Sequence, residues 1–277
     1  MPHHGFARII LASVAKEWRI RRRYPPQLWG WLVWPLLFAF GLISTARGLA
    51  GPAGNVAGFA RTTGISDFVG FLGIGTAMWM ALNWLLWSFG LSLRREQEQG
   101  TLEVLWMAPV PRVVLMLGRG VADLFFAFGL TLTVSLLEFH YVFGMRWIGS
   151  PVTLAAVVAV SLPALYGLGL AFASIVLWVK EARGAVFCVR GVFTIFCGMT
   201  YAVGVLPPWM RTIAAVLPPT YVVEAVRRVG LQGASLAELR PVLLPLLGLG
   251  GLLLVLGTVA FAWTERRVRR MGTLGAF

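Results

Sequence analysis

The sequence predicts an all-α membrane protein with six transmembrane helices, preceded by an N-terminal amphipathic helix in the membrane interface. Composition is the first reason. Of 277 residues, 58% are hydrophobic and 13% are charged, with a mean hydropathy of +0.79, whereas soluble domains carry about 25% charged residues. Distribution is the second reason, because the apolar residues form long continuous runs. A single transmembrane domain over residues 1–277 is therefore predicted.

Residues 6–23 are predicted to form the amphipathic helix. Their apolar side chains recur at the spacing of one helix face, at Ala7, Ile10, Leu11, Val14 and Trp18. The other side carries the basic residues Arg8, Lys16, Arg19 and Arg23. A basic helix with one apolar face lies in the interface and does not cross the bilayer.

Six apolar runs follow, each of about 20 residues or more, which is the length a helix needs to cross a bilayer. They cover residues 27–46, 66–93, 113–143, 151–179, 184–205 and 241–263. With a cytoplasmic N-terminus, most Lys and Arg residues of the loops fall on the inside, so both termini are predicted to be cytoplasmic. The net charge of +13 then indicates anionic membrane lipids as partners, and no nucleic acid.

The segment between the fifth and sixth spans, residues 206–240, contains two Pro-Pro pairs that interrupt any long helix. After the second pair, a short helix over 221–229 is predicted, N-capped by Thr220 and closed by Gly230. This outer segment is expected to be re-entrant or to lie on the outer surface.

Three charged residues belong to that short helix. Arg227 and Arg228 fall in its predicted last turn, where the helix dipole favours cations. Glu224 is placed to pair with either arginine. The charges are thus expected to stabilise the end of the helix.

The chain has no phosphate-binding loop, because that motif needs a Gly-Lys pair and the two lysines, Lys16 and Lys180, follow Ala and Val. Its three histidines do not form a metal-ligand set. The chain is therefore predicted not to be an enzyme, and to have no catalytic residue, metal site or cofactor of its own.

Two predicted spans carry a stripe of residues at helical spacing. The fifth span has Arg190, Thr194, Cys197 and Tyr201, and the second has Thr76, Met80, Asn83 and Trp87. Helix packing and the lining of a substrate path both explain such stripes. Trp79 and Trp84 lie deeper than interfacial anchors and can stack on sugar rings or apolar substrates. The possible substrate path comprises Thr76, Trp79, Met80, Asn83, Trp84, Arg190, Thr194, Cys197 and Tyr201.

Residues 94–112, RREQEQGTLEVLWMAPVPR, form a polar stretch between the second and third spans. They contain the pattern E-x-G-T-L-E-x-L and a later proline, as Glu98, Gly100, Thr101, Leu102, Glu103, Leu105 and Pro109. A second pattern follows the fifth span, as Pro208, Trp209, Pro218, Thr220, Tyr221 and Arg227 or Arg228. With both patterns in matching positions, the chain resembles permease subunits of bacterial ABC exporters of the second exporter class, which export polysaccharides, lipids, drugs and antibiotics.

The resemblance implies a cytoplasmic coupling helix at 98–107 that docks on a separate ATP-binding subunit. Its residues would be Glu98, Gly100, Thr101, Leu102, Glu103, Leu105 and Trp106. Thr101 can N-cap such a helix. Two turns are too short to be stable alone, so the helix needs a surface, either the ATPase subunit or the membrane interface. Residues 6–23 would be the family's gate helix, through Arg8, Lys16, Trp18 and Arg19.

The resemblance also implies two permease chains, identical or different, and two ATP-binding subunits that hold ATP and Mg, in the bacterial cytoplasmic membrane. The predicted function is export of a lipid, glycan or hydrophobic drug-like substrate. A proton-coupled secondary transporter is one alternative; it needs buried acids, and Asp123, four residues after Arg119, is the only deep one. A membrane enzyme acting on lipid-linked substrates is the other, although the loops lack an acidic or His cluster.

Overall fold

A computed structural model describes residues 11–12, 14–16, 18–19, 22–23, 25–50, 57–91, 120–122, 124–179 and 181–270. Within these residues the regular structure is entirely helical. Three helices are long and apolar enough to cross a membrane, Phe68–Gly90, Pro151–Val179 and Arg240–Arg267, and shorter apolar stretches cover Leu36–Thr45 and Phe128–Phe143. The predicted all-α fold is confirmed at this level.

The described helices are numbered in chain order. They are α1 (Pro25–Ala50), α2 (Ala57–Thr63), α3 (Phe68–Gly90), a π-helical turn (Phe125–Leu130) leading into α4 (Thr131–Phe143), α5 (Pro151–Val179), α6 (Ala182–Phe196), a 3-10 turn (Val203–Val205), α7 (Pro208–Val216), α8 (Pro218–Gln232) and α9 (Arg240–Arg270). The first, second, fourth and sixth predicted spans correspond to α1, α3, α5 and α9. The third predicted span is described from Gly120 onward.

Helix α3 is the centre of the bundle. The most apolar stretch of α3 is 78% buried, compared with 44% for α5 and 22% for α9. Its start is fixed by Asp67, whose carboxylate accepts a hydrogen bond from the Gly70 N–H at 2.8 Å. The other carboxylate oxygen accepts from the Arg146 N–H at 3.4 Å, so the same side chain also holds the loop after α4.

Helices α5 and α9 pack closely through small residues. A Cβ atom built on Gly257 would overlap the carbonyl oxygen of Gly167, and one on Gly167 would overlap the backbone of Leu253 and Leu254. In lipid, burial of apolar surface contributes little to helix association. Close packing of the two backbones therefore stabilises the pair instead. The opposite face of α9 carries exposed Leu and Val side chains.

The fifth predicted span, 184–205, was wrong as a continuous helix. Helix α6 begins where Glu181 caps it and ends at Phe196, and Gly198 follows in a left-handed conformation with φ +67°. The 15 residues of α6 extend about 22 Å, less than the roughly 30 Å of a bilayer core. Tyr201 therefore leaves the predicted stripe.

The short outer helix was predicted with the wrong ends. Helix α8 begins at the Pro-Pro pair, because prolines are favourable in the first turn, and Thr220 therefore lies inside it and is not its N-cap. It continues beyond Gly230, which packs against the Trp147 ring, and ends at Gly233, whose φ is +68°. Two helices joined at Leu217, α7 and α8, thus form the broken segment that was predicted between the fifth and sixth spans.

The charges of α8 lie elsewhere on the helix than predicted, but one of the two predicted ion pairs of Glu224 is present. Because the helix is longer, Arg227 and Arg228 do not lie in its last turn. Glu224 pairs with Arg228, with 2.7 Å between the Glu224 Oε1 and Arg228 Nε atoms. Arg227 has a different environment, described below.

Candidate functional site

Four residues of the predicted substrate path come together where α3 packs on α6. The Trp79 indole N–H donates to the Thr194 hydroxyl at 2.9 Å, and Arg190 Nη1 donates to Asn83 Oδ1 at 3.4 Å. Each pair joins the two helices, and the pairs lie one helical turn apart. The Thr194 hydroxyl also donates to the Arg190 carbonyl at 2.8 Å, which fixes its orientation.

Aromatic rings complete this site. Phe38 of α1 stacks on Trp79 with ring centroids 4.7 Å apart and ring planes 1° from parallel. The Arg190 guanidinium lies 5.4 Å from the centroid of the Trp79 ring and 4.4 Å from that of Phe187. We call this group the α3–α6 cluster; its members are Phe38, Trp79, Asn83, Phe187, Arg190 and Thr194.

The α3–α6 cluster is partly open and positively charged. Phe38 and Phe187 are 39% and 55% exposed. Arg190 is half-buried, and among the described carboxylates none forms an ion pair with it. At exposed sites, the attraction between a guanidinium and a ring face is worth about 0.5–1 kcal/mol. The attraction between a guanidinium and a desolvated anion is stronger. The charge of Arg190 is therefore only partly compensated by the residues that the structure describes.

The other residues of the predicted path lie elsewhere. Thr76, Met80 and Cys197 are buried in the interior, and Trp84 is half-buried on α3. The Tyr201 hydroxyl donates to a backbone carbonyl at the end of α6. The structure thus separates the predicted set into an open cluster and residues inside the bundle or beyond the end of α6.

Arg227 forms a second, closed arginine site, which we call the Arg227 anchor. Its guanidinium donates to the carbonyl of Phe71 from Nε and Nη2 at 3.3 and 3.1 Å, to Gly198 from Nη1 at 2.5 Å and to Met199 from Nη2 at 2.6 Å. It also lies 3.4 Å from the Phe71 ring centroid. A Cβ atom on Gly75 would overlap the Met199 carbonyl, so this contact requires glycine.

The sequence carries a signal for this anchor, although Arg227 was predicted as a charge at the end of a helix and as a member of the outer-segment pattern, not as a buried residue. Arg227 follows Val223 by four residues and precedes Gly230 by three, so it belongs to the apolar face of α8. Arg228 instead follows Glu224 by four residues on the polar face. A single arginine on an apolar helix face indicates a buried partner, here the carbonyl groups at the end of α6 and the start of α3.

The rest of the predicted outer-segment set is spread over α7 and α8. Pro208 is exposed in the first turn of α7, and Trp209 beside it is also exposed. Pro218 is buried in the first turn of α8 and Thr220 is half-buried. The Tyr221 hydroxyl donates to a carbonyl of α7 at 2.8 Å, which ties the two helices together.

The predicted coupling helix, 98–107, lies outside the described residues. This applies to Glu98, Gly100, Thr101, Leu102, Glu103, Leu105 and Trp106. Arg8 of the predicted gate helix, Arg119 and Asp123 also lie outside them.

The described residues between 11 and 23 are helical. Trp18 stacks on Phe126 of the π-helical turn, with ring centroids 5.9 Å apart and planes at 11°. Lys16 and Arg19 are exposed. The N-terminal segment thus contacts the third span at its π-helical turn, an irregularity that often accompanies functional sites.

Helix α4 carries a buried acid, Glu138. Glu138 is 8% exposed, and neither of its carboxylate oxygens has a hydrogen-bond partner in the described structure. The hydroxyl of Ser135, one turn earlier, is also buried without a partner. A buried acid on a membrane helix is a candidate for a functional role.

Long apolar helices and intramembrane polar side chains define a multi-pass membrane protein. The family model described as "ABC-2 type transporter" matches residues 8–230, which include the N-terminal segment and all helices from α1 to most of α8. The chain therefore belongs to the ABC-2 type transporter family, as its membrane permease component. No curated protein matches the chain at a significant level.

Proposed function

We propose that the chain is the transmembrane permease subunit of an ATP-driven ABC exporter in the bacterial cytoplasmic membrane. Its substrate would be a lipid, glycan or hydrophobic drug-like molecule moved out of the cytoplasm. The observation that carries this proposal is the family match over residues 8–230. Because the sequence has no Gly-Lys pair for a phosphate-binding loop, ATP and Mg belong to two separate ATP-binding subunits.

The energy of ATP enters this chain through the coupling helix at 98–107. Binding of ATP presses the two ATP-binding subunits together, and the coupling helices transmit that movement to the spans. The contact between Trp18 and Phe126 supports a gate role for residues 6–23, because it links the N-terminal segment to the third span. The gate and coupling segments then act on the same end of the bundle.

The substrate path lies between two permease chains and is lined by the first, second and fifth spans. The α3–α6 cluster supports this assignment, since it brings aromatic and polar side chains of those three spans to one open surface. In the proposed topology six spans cross the membrane, both termini are cytoplasmic, and α7 and α8 cover the outer end of the path. The Arg227 anchor then holds that outer cover on α3 and α6.

A paired aspartate substitution tests the coupling role. Leu102→Asp with Leu105→Asp places charge on the apolar face of the coupling helix and is expected to abolish co-purification with the ATP-binding subunit. The control, Val110→Asp, lies in the same predicted cytoplasmic stretch outside 98–107 and is expected to leave assembly intact. Normal assembly and ATP-driven transport by the paired variant would refute the proposal.

A proton-coupled transporter is a second candidate, favoured by the buried and unpartnered carboxyl of Glu138. That mechanism predicts that Glu138→Gln abolishes transport and that a protonophore stops it while ATP is present. The ATP-driven mechanism predicts that transport continues with a protonophore and stops when ATP is depleted. Asp123→Asn is the companion variant, because Asp123 is the other acid expected within a span.

A further inference from the structure

In the α3–α6 cluster, the guanidinium of Arg190 uses few of its hydrogen-bond donors, and the proposed function does not yet explain why. Arginine offers five N–H donors. In the described structure the Arg190 side chain donates one hydrogen bond, at 3.4 Å to an amide oxygen, and otherwise faces the rings of Trp79 and Phe187. Donors thus remain available beside an exposed aromatic surface.

Two other arginines provide the comparison. Arg228 is paired with the Glu224 carboxylate at 2.7 Å. Arg227 donates to three backbone carbonyls. Arg190 has neither arrangement among the described residues, although it lies on a helix of the proposed path. A charge within a membrane protein that has no acidic partner among the described residues is a candidate for binding substrate.

We propose that the α3–α6 cluster binds an amphipathic anion, with Arg190 contacting its phosphate or carboxylate and the aromatic rings contacting its apolar part. This inference deepens the proposed function and rests on it for the fate of the bound molecule. Planar guanidinium groups bind phosphate and carboxylate through two parallel hydrogen bonds. The exposed rings of Phe38 and Phe187 lie where an attached chain would extend.

The cluster is arranged before the ligand enters. Trp79 is fixed on one side by the stacked Phe38 ring and at its N–H by the Thr194 hydroxyl. Asn83 orients the guanidinium through its side-chain oxygen. A preorganised site loses less entropy on binding. Because the cluster contains a cation and no acid, it favours anions over cationic amphiphiles.

Binding to the purified full-length chain tests this inference. The probes are dioctanoyl phosphatidic acid and dioctanoylglycerol, which share their acyl chains and differ in the phosphate, titrated in neutral detergent. We expect phosphatidic acid to bind at least tenfold more tightly. Arg190→Gln is expected to remove that preference, and Arg190→Lys to keep part of it, while Arg183→Gln, an exposed arginine two turns earlier on α6, leaves it unchanged.

The inference would be overturned by no preference for phosphatidic acid in the wild-type chain or by the same preference in Arg190→Gln. It would also be overturned by an equal loss in Arg183→Gln, which would indicate diffuse surface attraction. Inorganic phosphate at millimolar concentration is expected not to compete, because it lacks the apolar part. Effective competition would identify a site for free phosphate and overturn the amphiphile assignment.

Transport is measured separately. Selective binding without ATP-dependent export would refute only the proposed function, and export without selective binding would refute only this inference.

Discussion

Arg227 and Arg190 each lie against an aromatic ring of α3, yet their surroundings differ. The guanidinium of Arg227 lies 3.4 Å from the Phe71 ring centroid and donates to carbonyls of α3 and the end of α6. That of Arg190 lies 5.4 Å from the Trp79 ring centroid and donates once, to an amide oxygen. Phe71 and Trp79 are about two turns apart on the same helix.

The difference indicates a structural role for Arg227 and, in our proposal, a substrate-binding role for Arg190. A guanidinium with its donors bonded to the protein is fixed, and its removal leaves buried carbonyls without partners. A guanidinium with free donors contributes little to folding and can bind a ligand. The same residue type therefore holds α8 in one place and, we propose, contacts substrate in the other. The following variants test this contrast, in order of decreasing expected effect on stability.

Replacement of Arg227 by Leu is expected to cause the largest loss of stability. It leaves the carbonyls of Phe71, Gly198 and Met199 without the guanidinium, so we expect the free energy of unfolding to fall by about 3–5 kcal/mol. Unfolding in mixed detergent and SDS micelles measures this loss. Arg228→Leu is the matched control, because its partly exposed ion pair is worth at most about 1 kcal/mol. Equal losses of unfolding free energy in Arg227→Leu and Arg228→Leu would contradict a special structural role for Arg227.

Gly75→Ala tests the same anchor without changing a charge. The new methyl group would overlap both the Met199 carbonyl and the Arg227 Nη2 atom, so the hydrogen bond between them must be disturbed. We expect a loss of about 2–3 kcal/mol in the same unfolding assay. Gly191→Ala on α6, where no atom beyond the neighbouring backbone of the same helix lies within 4 Å of the added carbon, is expected to be neutral or to stabilise by up to about 1 kcal/mol. A neutral Gly75→Ala variant would show that the anchor tolerates displacement.

Trp79→Phe tests the preorganisation of the α3–α6 cluster. The smaller ring keeps an aromatic face for Phe38 and Arg190 but loses the hydrogen bond to Thr194, so we expect about 1 kcal/mol of destabilisation. Binding of phosphatidic acid is expected to weaken but to remain selective for phosphate. Trp209→Phe, at an exposed ring on α7, is the control for both measurements. Complete loss of selectivity in Trp79→Phe would assign the recognition to Trp79 instead of Arg190.

The positions of the long helices were predictable from the sequence, because length and hydropathy are local properties. Helix α5 has the predicted bounds, and the start of α3 differs by two residues. The end of α6 was not predictable in this way. Hydropathy stays high through residue 205, but the chain turns at Gly198. Arg227 contacts the carbonyl groups at this turn, after the end of α6. That contact spans 29 residues, and the residues around α6 carry no signature of it; only Arg227 on the apolar face of α8 indicates a buried partner.

The candidate site was predicted only in part, because helical spacing is a local property of the sequence and the packing between helices is not. The spacing of Arg190 and Thr194 placed them on one face of a helix, and Asn83 and Trp79 were identified as unusual residues of another. Which of the remaining residues share that surface depends on how α3 is rotated in the bundle. Met80 was assigned to the path but is buried in the interior. The rotation is set by packing on every side of α3, which the sequence of one helix does not contain.

The most direct test measures stability and transport together in Arg190→Gln. The permease is reconstituted in proteoliposomes with the proposed ATP-binding subunit. ATP-dependent export of a phosphate-bearing amphiphile is measured, together with unfolding of the same protein. A substrate-binding role for Arg190 predicts an unfolding free energy within about 0.5 kcal/mol of the wild type and export reduced at least tenfold. Export at the wild-type rate, or a destabilisation as large as that of Arg227→Leu, would contradict it.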